Sequence, residues 1–198
     1  MTIKLIGSSS GSVSLQAPAS TTGGANRVLT LPDADGTVAV GDTGKTLQVL
    51  QAVKTDTFSL DGTATADITG LSQAITPSSS SNKILISYSV NFSIRYDGYG
   101  GGLKLVRGST QIYLGDAAGS RVRSSNGFFS GPNSNQHHIW TGQFLDSPNT
   151  TSETTYKLQL FSGGSGRTTF INRSFNDQDS SVNSFRTVSQ ITVMEIAA

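Results

Sequence analysis

The segment 83–96 alternates apolar and polar side chains over most of its length, and this pattern constrains the fold more than any other feature of the sequence. Successive side chains of a β-strand point to opposite faces, so a period of two predicts a strand with one buried face. At ~3.3 Å per residue, a strand of this length would run the length of a sandwich domain. The positions predicted to be buried are Ile84, Ile86, Tyr88, Val90, Phe92 and Ile94.

Further strands are predicted along the rest of the chain, and no window carries a sustained helical stripe of apolar residues. Ser, Thr, Asn and Gly dominate the composition, and these residues weaken helices. The C-terminal run has apolar residues on both faces, which predicts a central or interface strand. We therefore expect an all-β, sandwich or jelly-roll-like fold, with further strands in 46–60, 137–147, 154–162 and 167–174, and a hairpin over 103–115 that turns at Gly108 and Ser109.

Residues 1–45 differ from the rest, because short apolar pairs are separated there by long Ser, Thr, Gly and Ala tracts. A lone short hairpin is marginal in water, so this segment must order against its own domain or against copies of itself. We expect an extended N-terminal β attachment segment over 1–45 and a β-sandwich knob domain over 46–198. The favoured arrangement is an intertwined homotrimer with a largely hydrophobic interface, and removal of 1–45 should leave the second domain folded.

Charge and cysteine content exclude several classes of partner and chemistry. The formal net charge is +1 and the Lys and Arg residues are scattered, so there is no electrostatic footprint for nucleic acid. No apolar stretch is long enough to cross a bilayer, so membrane insertion is not expected. The chain has no cysteine, which rules out disulfides, thiolate metal sites and cysteine nucleophiles.

No constellation in the sequence points to catalysis, to a metal or to a cofactor. His137 and His138 are adjacent, so on a strand they face opposite ways, although one could meet its copies on a three-fold axis. The DADGT stretch at 33–37 lacks the later ligands of a calcium loop and predicts a tight turn instead. The glycine-rich stretches lack the order of a phosphate cradle, so strand turns or close chain approaches explain them better. No carboxylate pair or nucleophile elbow can be nominated, and we expect a protein that is not an enzyme.

A family resemblance rests on several stretches of the chain. Residues 11–38, GSVSLQAPASTTGGANRVLTLPDADGTV, resemble a module of tail-fibre and appendage proteins of marine bacteriophages, especially cyanophages. The stretches DITGLSQAITPSSSSNKILISYSV, FLDSPNTTSETTYKLQL and ITVMEIAA are similar to modules that often follow it. The resemblance implies a virion protein on the particle surface, such as a trimeric fibre or knob that binds other virion proteins and the host surface. A capsid decoration protein and a carbohydrate-binding or carbohydrate-cleaving domain stay open as alternatives.

The candidate receptor-binding residues are aromatic and arginine side chains in loop-like sequence. The long connection 115–136 combines guanidinium groups with aromatic rings, a mixture suited to anionic host polysaccharide, and a second group of aromatics lies beside a glycine-rich turn at 98–102. The alternative is packing, in which the aromatics fill a hydrophobic gap and the arginines pair with nearby Asp residues. The candidates are Arg121, Arg123, Phe128, Phe129, Tyr96 and Tyr99.

Overall fold

The computed structural model describes residues 2–6, 12–16, 44–94, 99–129, 137–179, 182 and 184–198. The chain divides into two compact units, Met1–Val40 and Gly41–Ala198. In the first unit, β1 (Thr2–Ile6) pairs antiparallel with β2 (Ser12–Gln16). The predicted turn at 33–37 lies outside the described residues, and the attachment role of residues 1–45 stays a prediction.

The second unit is built from strands alone over its described residues, which confirms the all-β prediction. Over the described ranges, no helix is long and apolar enough to cross a membrane. The strands are β3 (Thr46–Lys54), β4 (Phe58–Ile75), β5 (Lys83–Ile94), β6 (Gly100–Arg107), β7 (Thr110–Ile112), β8 (Asn126–Phe129), β9 (His137–Asp146), β10 (Thr154–Ile171) and β11 (Ser189–Ile196).

These strands form two layers joined at one corner. The first layer has the order β3-β11-β5-β9, and in the second layer β10 lies between β4 and β6, whose outer edge carries β7 and β8. Every pairing is antiparallel, and the end of β10 (Thr169–Ile171) pairs with the end of β5 (Phe92–Ile94) to connect the layers. Strand β4 packs across β3 and β11 without pairing to either. The result is a sandwich, as predicted.

The core lies between the layers and contains the alternating residues of β5. All six positions predicted to be buried on this strand are buried, with exposures of 5% or less. Strand β11 is central, because it pairs with β3 on one side and β5 on the other. Facing β5 from the second layer are the fully buried residues of β6 and β10: Leu103, Leu105, Tyr156, Leu158 and Leu160.

Four local expectations need correction. Gly100–Gly102 are the first residues of β6 and not part of a turn, and Phe128 and Phe129 lie in the short strand β8 and not in a loop. The two strands predicted over 154–162 and 167–174 are one long strand, β10. Most of β4 was not predicted as a strand, because its stretch from Asp61 onward consists largely of polar and small residues. It is held as a strand by its pairing with β10.

Candidate functional site

The outer face of the second layer carries a row of small residues around one aromatic ring. Phe161 of β10 lies opposite Thr65 of β4 on one side and Gly102 of β6 on the other. At the next position of β10 on the same face, Gly163 lies opposite Thr63 of β4, and its backbone lies close to that of Gly100. Because glycine has no side chain, the sheet surface beside the Phe161 ring is depressed.

Two adjoining hollows of about 330 and 370 Å³ occupy this depression. They share Val122, Phe161 and Gly163 as lining residues, and we call them together the Phe161 groove. Thr63, Thr65 and Lys104 line one end, and Ser124, Gly127 and Phe128 line the other. The groove is open and its lining is mostly apolar, and Val122 and Ser124 of the 115–136 connection form part of it.

The Phe161 ring can lie where it does because the residue opposite it, Gly102, has no side chain. A Cβ atom added to Gly102 would lie 2.7 Å from Cε1 of Phe161 and 2.1 Å from the carbonyl oxygen of Asn126. The same relation holds for Gly101, where a Cβ would lie 3.0 Å from Cε1 of Phe128. Aromatic rings that cover glycines on a neighbouring strand restore packing that the missing side chain would have given. Gly101 and Gly102 thus allow neighbouring strands of the same chain to approach closely.

Polar groups border the ring on the side of Lys104. The Lys104 Nζ lies 5.3 Å from the centroid of the Phe161 ring, within the range of a cation–π contact. On β4, two strands away from Lys104, Asp67 accepts hydrogen bonds of 2.7 Å from both Lys157 and Gln159. The hydrogen bond from Lys157, then that from Gln159, hold the pKa of Asp67 below its ordinary value. The negative charge of Asp67 is therefore balanced by Lys157. Lys104 contributes a positive charge to this end of the groove.

Arg121 and Arg123 lie in the segment between β7 and β8, on either side of Val122. Both are exposed, and the Val122 side chain between them is 64% exposed at the groove. Arg121 Nη1 donates to the carbonyl of Ala118 (3.2 Å), and Arg123 Nε donates to that of Gly115 (2.7 Å). Their hydrogen bonds therefore shape the loop, in contrast to the Asp pairing that the packing alternative supposed, and each guanidinium has further N–H donors.

The four aromatic candidates take different positions. Phe128 is half-buried and packs on the core, with ring centroids 4.9 Å from Phe92 and 5.5 Å from Trp140. Phe129, by contrast, is 75% exposed. Tyr99 is half-buried just before β6, and Tyr96 lies outside the described residues. The packing alternative thus describes Phe128, whereas Phe129 is presented to solvent beside the groove.

The two histidines point to opposite faces of β9. The ring of His138 stacks on Phe92 at 5.3 Å, whereas that of His137 meets Phe185 edge-on at 5.4 Å. Burial, and then the neighbouring His138, lower the pKa of His137, which favours the neutral imidazole. Within the described ranges, no group of three or more His, Asp or Glu residues is arranged to hold a metal ion.

Two buried carboxylates hold strands together. Asp146 accepts hydrogen bonds from Arg107 Nη1 at 2.8 and 2.9 Å and from the Tyr156 hydroxyl at 2.6 Å. Burial, and then the contact with Asp146, raise the pKa of Tyr156 well above its ordinary value. Glu195, 1% exposed, accepts from Asn82, Gln48 and Ser78. Both carboxylates are occupied by structural hydrogen bonds.

Sequence reasoning missed the groove residues on β4, β6 and β10. It identified the strand that carries Phe161 but gave the ring no role. The available signal was a run of glycines in a predicted turn and a lone aromatic in a predicted strand, and only the strand register brings them together.

Comparisons with known proteins show similarity to viral particle structures. No protein-family model matches the chain, and no curated protein matches its sequence. Among solved structures, the chain is similar to that of the infectious bursal disease virus Gt strain, with 13% identity and a TM-score of 0.45 over 98% of this chain and 46% of the viral chain. It is also similar to the VP2 subviral particle of infectious bursal disease virus, with 12% identity and a TM-score of 0.43 over 94% of this chain and 50% of the other. The chain spans about half the length of the viral chains it matches.

Proposed function

We propose that this chain is a non-enzymatic structural protein of a bacteriophage particle. It forms a trimeric knob that attaches to other virion proteins and contacts host-surface polysaccharide through the Phe161 groove. The resemblance of residues 11–38 and of the later stretches to phage fibre modules supports the virion role. Three copies of a weak site in one knob, and several knobs on one particle, would give avidity without a strong single site.

The main support for polysaccharide binding is that an aromatic ring, glycines and positively charged side chains lie together at the Phe161 groove. A sugar ring stacks on an aromatic face, and the glycines beside Phe161 let a flat ligand approach the sheet closely. Lys104 and the exposed Arg121 and Arg123 offer donors to sulfate or carboxylate groups. The groove therefore fits an anionic polysaccharide better than a neutral one.

Affinity electrophoresis with dextran sulfate and with unmodified dextran tests this proposal, because the two polymers share a backbone and differ in charge. We expect the protein to be retarded by dextran sulfate and much less by dextran. Replacing Arg121 and Arg123 by Ser removes two charge-assisted contacts worth ~1 kcal/mol each, so binding should weaken about thirtyfold. Phe161→Leu, which still covers Gly102, should weaken binding to both polymers.

Arg186→Ser is the matched control, because Arg186 is an exposed arginine that pairs with Asp177 away from the groove. This variant should bind dextran sulfate as the unaltered protein does. Equal retardation of the Arg121/Arg123 variant, with its fold intact, would refute the contact role of the groove and favour a capsid decoration protein.

A further inference from the structure

The outer face of the first layer carries an apolar row that crosses all four strands. The register places Val49 of β3 beside Met194 of β11, Met194 beside Leu85 of β5, and Leu85 beside Leu145 of β9. These side chains point away from the core, since their neighbours along each strand are the ones that face it. Val49 is 55% exposed and Leu145 is 52% exposed, so the row ends in open apolar residues at both edges.

More apolar groups surround this row on the same face. Leu47 and Val53 of β3 are 38% and 51% exposed, and Ile139 of β9 is 58% exposed. Exposed apolar residues scattered singly need no explanation, but a contiguous patch on a sheet face indicates an interaction surface.

The charge of this face suits an identical partner. Among the outward positions of the four strands, Lys83 is the one charged residue that the structure describes, and its Nζ donates to Ser147 at 2.8 Å. The other outward positions are apolar or neutral, such as Gln51, Ser87 and Gln143. Two copies of one surface carry the same charges, and like charges repel each other across an interface. A nearly uncharged face can therefore pack against the same face of another copy without this repulsion.

The size of the face is of the order that an interface between copies needs. Four strands spaced ~4.8 Å apart, with about four outward positions on each strand spaced ~6.8 Å apart, give a flat footprint of roughly 500 Å². Protruding side chains raise the accessible area above this value, toward the ~800 Å² per partner of a standard interface.

We infer that this face is where copies of the chain pack together, the apolar row lying at the centre of the contact. The inference rests on the proposed oligomer and names its surface, on the layer opposite the Phe161 groove. With three copies around an axis, the first layers face inward and the grooves face outward, so assembly and ligand contact use different sides of the sandwich.

Engineered cysteines test the inference cleanly, because the chain has no cysteine of its own. The double variant Val49→Cys/Leu145→Cys places thiols at the two ends of the row. Three strand spacings separate these positions by ~14 Å, beyond the ~7 Å Cα separation that a disulfide spans, so any disulfide must join two copies. The matched control is Val122→Cys, whose side chain is somewhat more exposed (64%) and lies at the Phe161 groove on the opposite side of the sandwich.

On mild oxidation we expect the double variant to form covalent trimers on non-reducing gels, while the control stays uncrosslinked. Light scattering on Leu145→Glu should show assembly weakened more than tenfold, because the new carboxylate would be buried without a partner. The control Val122→Glu should leave assembly unchanged.

The outcomes separate this inference from the proposed function. A dimer that Leu145→Glu dissociates would support the face and refute the trimer. A trimer that Leu145→Glu leaves intact would refute the face and keep the trimer. A monomeric unaltered protein would overturn both.

Discussion

The buried carboxylate of Glu195 should make the stability of the protein fall steeply in acid. Four hydrogen bonds reach it: Asn82 Nδ2 (2.6 Å), Ser78 N (2.6 Å) and Ser78 Oγ (2.8 Å) on Oε1, and Gln48 Nε2 (2.6 Å) on Oε2. Burial acts to raise its pKa, but the hydrogen bonds from Asn82, Gln48 and Ser78 outweigh burial and lower the pKa from 4.5 to about 2. The folded state therefore favours the charged form.

The magnitude follows from linkage between proton binding and folding. Because the pKa is lower in the folded state, the stabilisation is fully present above the unfolded value of 4.5 and is lost as the pH falls toward about 2. A change from 4.5 to about 2 corresponds to about 3 kcal/mol, at 1.36 kcal/mol for each tenfold change in the dissociation constant. Glu195→Gln imitates the protonated form, since its amide would present a donor to Gln48 Nε2.

We therefore expect Glu195→Gln to lower the free energy of unfolding by about 3 kcal/mol at pH 7. Its difference from the unaltered protein should shrink between pH 4.5 and 2. Urea unfolding followed by tryptophan fluorescence measures this, because Trp140 is the single tryptophan, 5% exposed and stacked on Phe92 at 3.5 Å. Other carboxylates titrate in both proteins and cancel in the difference.

Glu153→Gln is the matched control, because Glu153 is the other glutamate of the chain and is exposed. It should change stability little at any pH. The reasoning would be refuted by a Glu195→Gln variant as stable as the unaltered protein at pH 7, or by a difference that stays constant from pH 7 to pH 2.5.

Two further predictions follow from packing. Gly102→Ala should destabilise the protein by at least ~2 kcal/mol in urea unfolding, because its Cβ would lie 2.1 Å from a backbone oxygen, whereas Gly115→Ala, with open space around it, should be nearly neutral. Equal effects of the two variants would contradict the close approach. Phe128→Ser should cost ~2 kcal/mol because its ring packs on the core, while Phe129→Ser, at a side chain 75% exposed, should leave the thermal midpoint unchanged. A larger loss for Phe129→Ser would reverse the assignment of packing and exposure.

The structural roles of buried polar residues cannot be predicted from local sequence patterns. Asn172 lies in a polar Asn-Arg-Ser stretch of the sequence, yet it is fully buried with a φ of 62°. Its Nδ2 donates to the carbonyls of Lys54 and Asp56, and its Oδ1 accepts from Ser189. The sequence offers no sign of this role, because all three partners lie on other segments.

The glycines gave a partial signal of the candidate site. Gly101, Gly102 and Gly142 each lie opposite an aromatic residue whose ring would contact an added Cβ. A glycine inside a strand indicates a close approach, but of these three only Gly142 falls in a predicted strand. Which ring approaches, and on which face, depends on the register between strands, and so Phe161 could not be assigned to the groove in advance.

The sequence by itself determined the secondary structure class and the buried face of β5, because side-chain alternation along a strand is a local property of the backbone. It also predicted that β11 would be a central or interface strand, because both of its faces carry apolar residues. Only the tertiary structure decided which strands are neighbours. It brings Gln48, Ser78 and Asn82 to Glu195, from which they are separated by 147, 117 and 113 residues of chain. It also places Phe161 over Gly102. The physical reason is that the pairing register is set by the sum of contacts over the whole sandwich, and no local pattern encodes that sum.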